Sequence, residues 1–311
     1  MNNTDAKNAL LQRVMSLNIE HLRYKEIWTE LDSLRPDKDM DRARGLFSPR
    51  HLFLYGESGV GKSTLLRRYA KANPGYVDVD EDGTEYDIRP VVYTDLPQPF
   101  TMSEFYQQIV RALGAPQLAG VRVGDVKRQA LSLIEQQRVE MLILDEMDYI
   151  LTSRSVKPIE AMESIKSLTN IGNISVVCSG TTATKQLSEL NFQYFRRFPA
   201  VKLLRFDKCD KEFCDLLTKI ETHINPPERL GLGDPDLHIP ELLFQMSQGV
   251  LGSLTPVLQR AYRIMLSEHE LEDLADHGLF VGALLAAKKY VLGESEEKFL
   301  VLLNKAEAYE S

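Results

Sequence analysis

The sequence is short of several things, and each shortage excludes a class of protein. Its 311 residues include three cysteines, Cys178, Cys209 and Cys214. They supply neither a disulfide framework nor a four-ligand zinc spacing, so buried or incidental thiols are the expectation. No apolar run approaches the roughly 18 residues that a membrane-spanning helix needs. The N-terminal stretch lacks the basic start and apolar core of a secretion signal, which makes the cytoplasm the expected location. Basic charge is also short: 37 Lys and Arg stand against 45 Asp and Glu, a formal net charge of −8. The molecule as a whole repels a polyanion, so contact with nucleic acid would have to come from a local basic patch. Internal repeats and low-complexity segments are missing too. The 43% hydrophobic and 26% charged residues are close to soluble globular averages, in a chain long enough for a core domain and a smaller one.

Residues 5–17 put Leu10, Leu11, Val14 and Leu17 at helical spacing, and residues 19–34 do the same with Leu22, Ile27 and Leu31. Two amphipathic N-terminal helices are expected. Pro36 and a charged run to Arg44 break the pattern. His51-Leu52-Phe53-Leu54-Tyr55 then reads as a buried strand entering a glycine turn at Gly56. Further strands are expected at Val91-Val92-Tyr93, Met141-Leu142-Ile143-Leu144, Ile174-Ser175-Val176-Val177-Cys178 and Val201-Lys202-Leu203-Leu204. Helices are expected at 63–72, 101–113, 126–137 and 159–168, and the acidic stretch 78–87 as a solvent-facing hairpin or loop. Unbroken apolar strands alternating with helices indicate an open parallel sheet with right-handed crossovers. Beyond about residue 207 no strand pattern returns, and 212–223, 241–247, 254–268, 278–291 and 296–308 read as helices.

The strongest motif is Gly56-Glu57-Ser58-Gly59-Val60-Gly61-Lys62-Ser63, a full match to G-x-x-x-x-G-K-[ST] between an apolar strand and a helix. Its glycines let main-chain N–H groups turn toward phosphate oxygens, and the helix N-terminus adds positive potential. Lys62 then reaches the β- and γ-phosphates of ATP, Ser63 ligates Mg2+, and Thr64 completes the nucleotide-binding set. A chance glycine turn is the bland reading, and the strand-to-helix context argues against it. Met141-Leu142-Ile143-Leu144 runs into Asp145-Glu146. Ligands of an open parallel sheet sit at strand C-terminal ends, so Asp145 is expected to bind Mg2+ directly or through water. Glu146 is expected to polarise the attacking water, the alternative being a solvated pair of charges. Ser179-Gly180-Thr181-Thr182 ends the next strand with hydroxyls suited to sensing a γ-phosphate, Thr181 first and Ser179 in reserve, unless they only satisfy strand-end main chain. Phe195-Arg196-Arg197-Phe198 offers an arginine that, in a ring of subunits, would reach a neighbour's nucleotide. Sequence does not separate Arg196 from Arg197, and exposed arginine pairs are often merely solvated.

The order of these features resembles the AAA+ ATPases of the initiator and clamp-loader type, a P-loop α/β fold with an all-helical lid. On that pattern the chain divides into an N-terminal helical extension over 1–45, a nucleotide-binding domain over 46–206 and a lid over 207–311. More narrowly, five segments resemble the TniB/TnsC proteins of bacterial transposons: His21-Leu22-Arg23-Tyr24, His51 to Gly56, Cys178-Ser179-Gly180-Thr181, Arg196-Arg197-Phe198 and Gly249-Val250-Leu251-Gly252. The resemblance implies a slow, switch-like ATPase that holds ATP and Mg2+ and assembles as a ring or filament around double-stranded DNA. It would link a target-selector protein to a transposase. DNA contacts are implied between the P-loop helix and Asp145, where this chain offers Thr101, Arg122, Lys127 and Arg128; each has an equally plain reading as a solvated helix residue. One departure stands out. Where many AAA+ relatives carry a second-sensor arginine, this chain has Gly249-Val250-Leu251-Gly252-Ser253-Leu254, and the nearest downstream arginine is Arg260. Two other functions fit the same nucleotide motifs: a motor or loader with vigorous DNA-stimulated hydrolysis, and a signalling ATPase with protein partners only.

Overall fold

The computed structural model describes residues 3–17, 22–35, 49–116, 120 and 122–293. Ile19, His21, the charged stretch from Pro36 to Arg44 and the helix expected over 296–308 lie outside the described residues. In chain order the elements are α1 (Asn3–Met15), α2 (Leu22–Leu34), β1 (Leu52–Tyr55), α3 (Lys62–Ala72), β2 (Tyr76–Val79), β3 (Glu85–Ile88), β4 (Val91–Asp95), α4 (Met102–Ala112), α5 (Val123–Gln136), β5 (Met141–Asp145), α6 (Asp148–Leu151), α7 (Pro158–Gly172), β6 (Ser175–Gly180), α8 (Lys185–Ser188), α9 (Phe192–Arg197), β7 (Ala200–Lys202), α10 (Lys211–Ile224), α11 (Ile239–Ser247), α12 (Leu251–Glu268) and α13 (His277–Leu292). They fall into two compact units, Glu26–Gly56 with Lys62–Leu203, and Met1–Lys25 with Glu57–Gly61 and Leu204–Ser311.

The first unit is built on a five-stranded sheet in the order β4-β5-β6-β1-β7, every neighbouring pair parallel. Parallel neighbours need crossovers rather than hairpins, and helices supply them. β5 and β6 are buried along their whole length, as unbroken apolar strands covered on both faces must be. One face packs Phe53, Leu142, Leu144, Val176 and Cys178 against Ile109, Ile134 and Ile165 of α4, α5 and α7. Alternation along each strand puts Leu54, Ile143, Asp145, Val177 and Ser179 on the opposite face. Arg67 of α3 reaches that second face, bonding Tyr93 and Asp95 of β4. The later half of α2 belongs to this unit as well: Trp28 meets Tyr69 edge-on with centroids 5.0 Å apart, Tyr69 donates to Asp32 at 2.7 Å, and Ser175 donates to the Leu34 carbonyl at 2.6 Å. The acidic stretch is a hairpin, β2 paired antiparallel with β3, its turn closed by Asp80 accepting from the N–H groups of Asp82 and Thr84.

The second unit is helical among its described residues. Phe213, Leu217, Leu243, Leu258, Tyr262, Phe280 and Leu284 form its core together with Leu10 and Val14 of α1. Each fully buried side chain of this size contributes roughly 1.5–3 kcal/mol. The N-terminal stretch therefore makes no body of its own. A stripe as narrow as Leu10 and Val14 cannot bury itself, and it enters the core of helices that lie some two hundred residues downstream in sequence. α10 is capped by Asp210, which accepts from the N–H groups of Glu212 and Phe213, and ends at Asn225 in the left-handed region. No described helix is long and apolar enough to cross a membrane.

Candidate functional site

The buried strand β1 delivers the chain to Gly56, and α3 opens at Lys62 with N–H groups that have no partner inside the helix. The Lys62 side chain is buried, and its Nζ donates to the Gly56 carbonyl at 2.8 Å. Gly59 and Gly61 have φ of 80° and 101°, values that a Cβ would strain. The arch, Glu57–Gly61, groups with the helical unit, and three contacts there hold it. The Gly252 N–H, at the start of α12, donates to the Gly59 carbonyl at 2.8 Å. Arg205 Nε lies 3.6 Å from the Glu57 carboxylate, and the Tyr24 hydroxyl donates to the Gly61 carbonyl at 3.1 Å. Arg260, the nearest arginine after the departure noted above, stacks on Tyr290 at 4.3 Å.

Across the sheet, β5 ends in Asp145, only 2% exposed. Its Oδ1 accepts from the Glu146 N–H at 2.9 Å and its Oδ2 from the Tyr93 hydroxyl at 2.7 Å. Glu146 has φ of 59°, which costs a non-glycine residue on the order of 1–2 kcal/mol. Backbone strain of this kind clusters at functional sites. Burial raises the Glu146 pKa, as do the neighbouring carboxylates of Asp145, Asp148 and Asp95, while Lys62 opposes them. A carboxylate so raised is a stronger base than an ordinary one.

The two hydroxyl candidates separate. Thr181 donates through both its N–H, at 2.9 Å, and its hydroxyl to the Asp148 carboxylate. Ser179 is fully buried, and its hydroxyl has no hydrogen-bond partner among the described residues. Pairing of Leu144 with Cys178 puts Ser179 one step on, beside Asp145 and on the same face. Thr181, the first choice from sequence, is thus tied to Asp148, and Ser179, the reserve, lies beside Asp145. Ser63 is half-buried, and its side chain makes no hydrogen bond among the described residues; Thr64 is exposed.

α9 starts at Asn191, whose side chain accepts from Gln193 and Tyr194 N–H. Tyr194 is buried, and Phe195 and Arg196 turn outward. Arg197 donates to Asn170 at 2.7 Å, whereas Arg196 has no partner among the described residues. Both line a cavity of about 570 Å³ with Glu30, Arg50, His51 and Asn173. His51 stacks on Phe198 and accepts from the Val176 N–H at 3.1 Å. Burial, then the Arg197 charge, push its pKa down to about 4, so it is neutral at physiological pH. Of the proposed DNA contacts, Thr101 caps α4, Lys127 donates to Ser167 and Arg128 pairs with Asp125. Arg122, exposed at the start of α5, is the one of the four without a partner among the described residues.

No group of three or more His, Cys, Asp or Glu converges into a metal cage among the described residues. Mg2+ takes one or two protein oxygen ligands and completes its shell with phosphate and water; the buried Asp145 carboxylate and the half-buried Ser63 hydroxyl are donors of that type. Sequence reasoning did not single out Tyr93, Asp95 and Arg67. The one signal was a second apolar strand, Val91-Val92-Tyr93-Thr94-Asp95, ending in a carboxylate as β5 does.

A family model described as "Bacterial TniB protein" matches residues 15–208. No curated protein matches the chain. Among solved structures the chain is similar to the ORC1 protein of Aeropyrum pernix in complex with DNA, at 17% identity over 89% of this chain and 69% of that one, TM-score 0.57. It is similar to the ORC2 protein of the same organism in ADPNP–ADP complexes, at 15% identity, 88% and 70% coverage and TM-score 0.58. It is also similar to Cdc6p from Pyrobaculum aerophilum, at 15% identity, 93% and 73% coverage and TM-score 0.59. At such identities the likeness establishes the fold alone, a parallel α/β domain followed by a helical region.

Proposed function

The chain belongs to the bacterial TniB family, and from that premise we propose that it is an ATP-hydrolysing regulator of DNA transposition. It assembles with further copies on duplex DNA and couples a target-selector protein to a transposase. The observation that carries the nucleotide part is the buried Lys62 ammonium bonded to the Gly56 carbonyl at the end of β1, together with Asp145 and Glu146 at the end of a strand in the same unit. In this reading the main-chain N–H groups of residues 56–63 and Lys62 bind the phosphates, and Ser63 and Asp145 hold Mg2+. The ion, when bound, neutralises charge building on the β- and γ-phosphates. Glu146 takes a proton from the attacking water, and Ser179 is the hydroxyl that responds to the γ-phosphate. Arg196, solvent-facing on α9 beside the exposed Phe192 and Phe195, serves the nucleotide of a neighbouring copy.

The switch-like character is supported by Arg260, which is stacked on Tyr290 rather than presented by the start of α12. Arg122 is the most available of the DNA candidates, and repetition around an assembly would multiply a weak contact. The family relationship and the DNA-bound ORC1 relative support the DNA partner. The test is electron microscopy of the full chain with duplex DNA. A non-hydrolysable ATP analogue, but not ADP, is expected to yield large assemblies, and Lys62→Ala is expected to abolish them. Assembly of Lys62→Ala with wild-type nucleotide dependence sinks the proposal. Rapid DNA-stimulated phosphate release would favour a motor, and failure to bind duplex DNA at low salt would favour a protein-only signalling ATPase.

A further inference from the structure

The metal-proximal carboxylate is held by residues that none of the motifs contains. The register between β4 and β5 sets Asp95 opposite Asp145, and side chains two apart on a strand share a face. Tyr93, Asp95 and Asp145 therefore point to the same side of the sheet. The Tyr93 hydroxyl lies 2.7 Å from Asp145 Oδ2 and 2.7 Å from Asp95 Oδ1. A phenol carries one proton and can donate to one of these oxygens at a time.

Arg67 decides between them. Its guanidinium donates to both Asp95 oxygens, at 3.1 and 3.2 Å, so Asp95 already has a forked, charge-assisted partner. Its Nε donates to the Tyr93 oxygen at 3.0 Å, which polarises the O–H bond. Its charge also lies 5.1 Å from the centre of the tyrosine ring, within cation–π range. Asp145 is more buried than Asp95 and, among the described residues, has only the Glu146 N–H besides the tyrosine. The phenol proton is better placed on Asp145. With one oxygen fixed by the next residue's N–H and the other by Tyr93, the carboxylate plane cannot rotate.

We propose that Tyr93 is a positioning residue of the metal site: its hydroxyl fixes the orientation in which Asp145 meets a divalent cation, and Arg67, paired with Asp95, fixes the hydroxyl. This rests on the nucleotide reading above. A tyrosine present only to fill space would need any single acceptor for its hydroxyl; this one is set between two carboxylates and receives a hydrogen bond from an arginine on the P-loop helix. Arg67 lies on the same helix as Lys62 and Ser63, so the network ties the helix that begins at the phosphate site to the strand that carries the metal ligand. Outer partners of this kind are worth about 10–100-fold in metal affinity.

The test separates metal binding from nucleotide binding in the full chain. Mn2+ is titrated by electron paramagnetic resonance in the presence of a non-hydrolysable ATP analogue, and a fluorescent ATP analogue is titrated in EDTA. For Tyr93→Phe, which keeps the ring over which Arg67 lies, Mn2+ affinity is expected to fall about 10–100-fold while metal-free nucleotide binding stays within about twofold. Arg67→Gln, acting through the hydroxyl, is expected to shift Mn2+ affinity in the same direction by only a few-fold. Wild-type Mn2+ affinity in Tyr93→Phe overturns the role, as does an equal loss of metal-free nucleotide binding. Should Tyr93→Phe fail to fold, unchanged Mn2+ affinity in Arg67→Gln overturns it. If the wild-type chain itself binds no Mn2+ with the analogue, the nucleotide reading fails instead.

Discussion

Two carboxylates in this molecule are buried to nearly the same degree and are provided for quite differently. Glu221 of α10, 4% exposed, accepts main-chain N–H bonds from Leu230, Gly231 and Leu232 at 2.6, 3.0 and 3.3 Å. Among the described residues, Asp145 of β5 has one main-chain N–H and one phenol, with the unpartnered Ser179 hydroxyl beside it. Burying a carboxylate is costly unless hydrogen bonds replace its water. Glu221 receives enough of them to stitch the 230–232 loop to its helix, and it is part of the fold. Asp145 is left with spare acceptor capacity among other acids, which is the arrangement the proposed cation would complete.

Substitution at each position should therefore have opposite signatures. Asp145→Asn keeps the shape and removes the charge. A metal's stabilisation of the reacting phosphate is worth several kcal/mol, so phosphate release is expected to fall on the order of 100-fold or more, with an unchanged or higher melting temperature. Glu221→Gln puts an NH2 group among three N–H donors. With unpaired buried donors costing about 1–3 kcal/mol each, it is expected to lower the melting temperature by several degrees while nucleotide binding persists. A Glu221→Gln protein that melts like the wild type, or an Asp145→Asn protein that melts well below it, breaks the contrast.

The glycines give the same contrast at smaller amplitude. A Cβ on Gly252 would sit 2.9 Å from both the α-carbon and the carbonyl oxygen of Gly59, while one on Gly282 of α13 would meet nothing within 4 Å. Gly252→Ala must displace either the P-loop arch or the start of α12, and is expected to weaken nucleotide binding about tenfold, or ~1.4 kcal/mol. Gly282→Ala is expected to leave binding alone and to stabilise its helix by up to ~1 kcal/mol. Calorimetric titration of both variants checks the pair; equal affinities would mean that the Gly59–Gly252 contact is incidental.

How much of this was legible in sequence follows from the range of each interaction. The P-loop and the Asp145-Glu146 strand end are written in consecutive residues, so apolar runs and glycines reveal them. The parallel sheet and the described helices of the second unit follow from periodicity in the same way, whereas the acidic stretch read only as a hairpin or loop. Ser179 and Thr181 are two residues apart, the first inside β6 and the second just past its end, and what distinguishes them is tertiary: Thr181 is tied to Asp148, whereas Ser179 lies beside Asp145. The bonds among Arg67, Tyr93, Asp95 and Asp145 need three elements in register, and no single stretch carries the signal. α9, six residues long, is too short to show a period, yet it presents Arg196 and anchors itself through Tyr194. Gly252 stood out only within the family resemblance and the missing second-sensor arginine, because its role is a close approach to Gly59, about 190 residues earlier in the chain.

The smallest effect concerns Glu146, the neighbour that Asp145 perturbs. Its pKa is raised above the usual carboxylate value, first by burial and then by Asp145, Asp148 and Asp95. A carboxyl group raised in the folded state is held more readily in its neutral form there than in the unfolded chain. Its contribution to stability is thus complete below the unfolded pKa and is lost as pH rises through the folded one. Without nucleotide, Glu146→Gln is expected to melt slightly above the wild type at neutral pH and together with it in acid, where both side chains are uncharged. Asp148→Asn removes one of the repelling charges and should move that pH dependence downward by a smaller amount than Asp145→Asn, the order in which the two carboxylates act on Glu146. Thermal melts across pH read both shifts. A Glu146→Gln protein that gains nothing at neutral pH would mean that Glu146 sits in water like any surface carboxylate, and its fitness as a base would then rest on position alone.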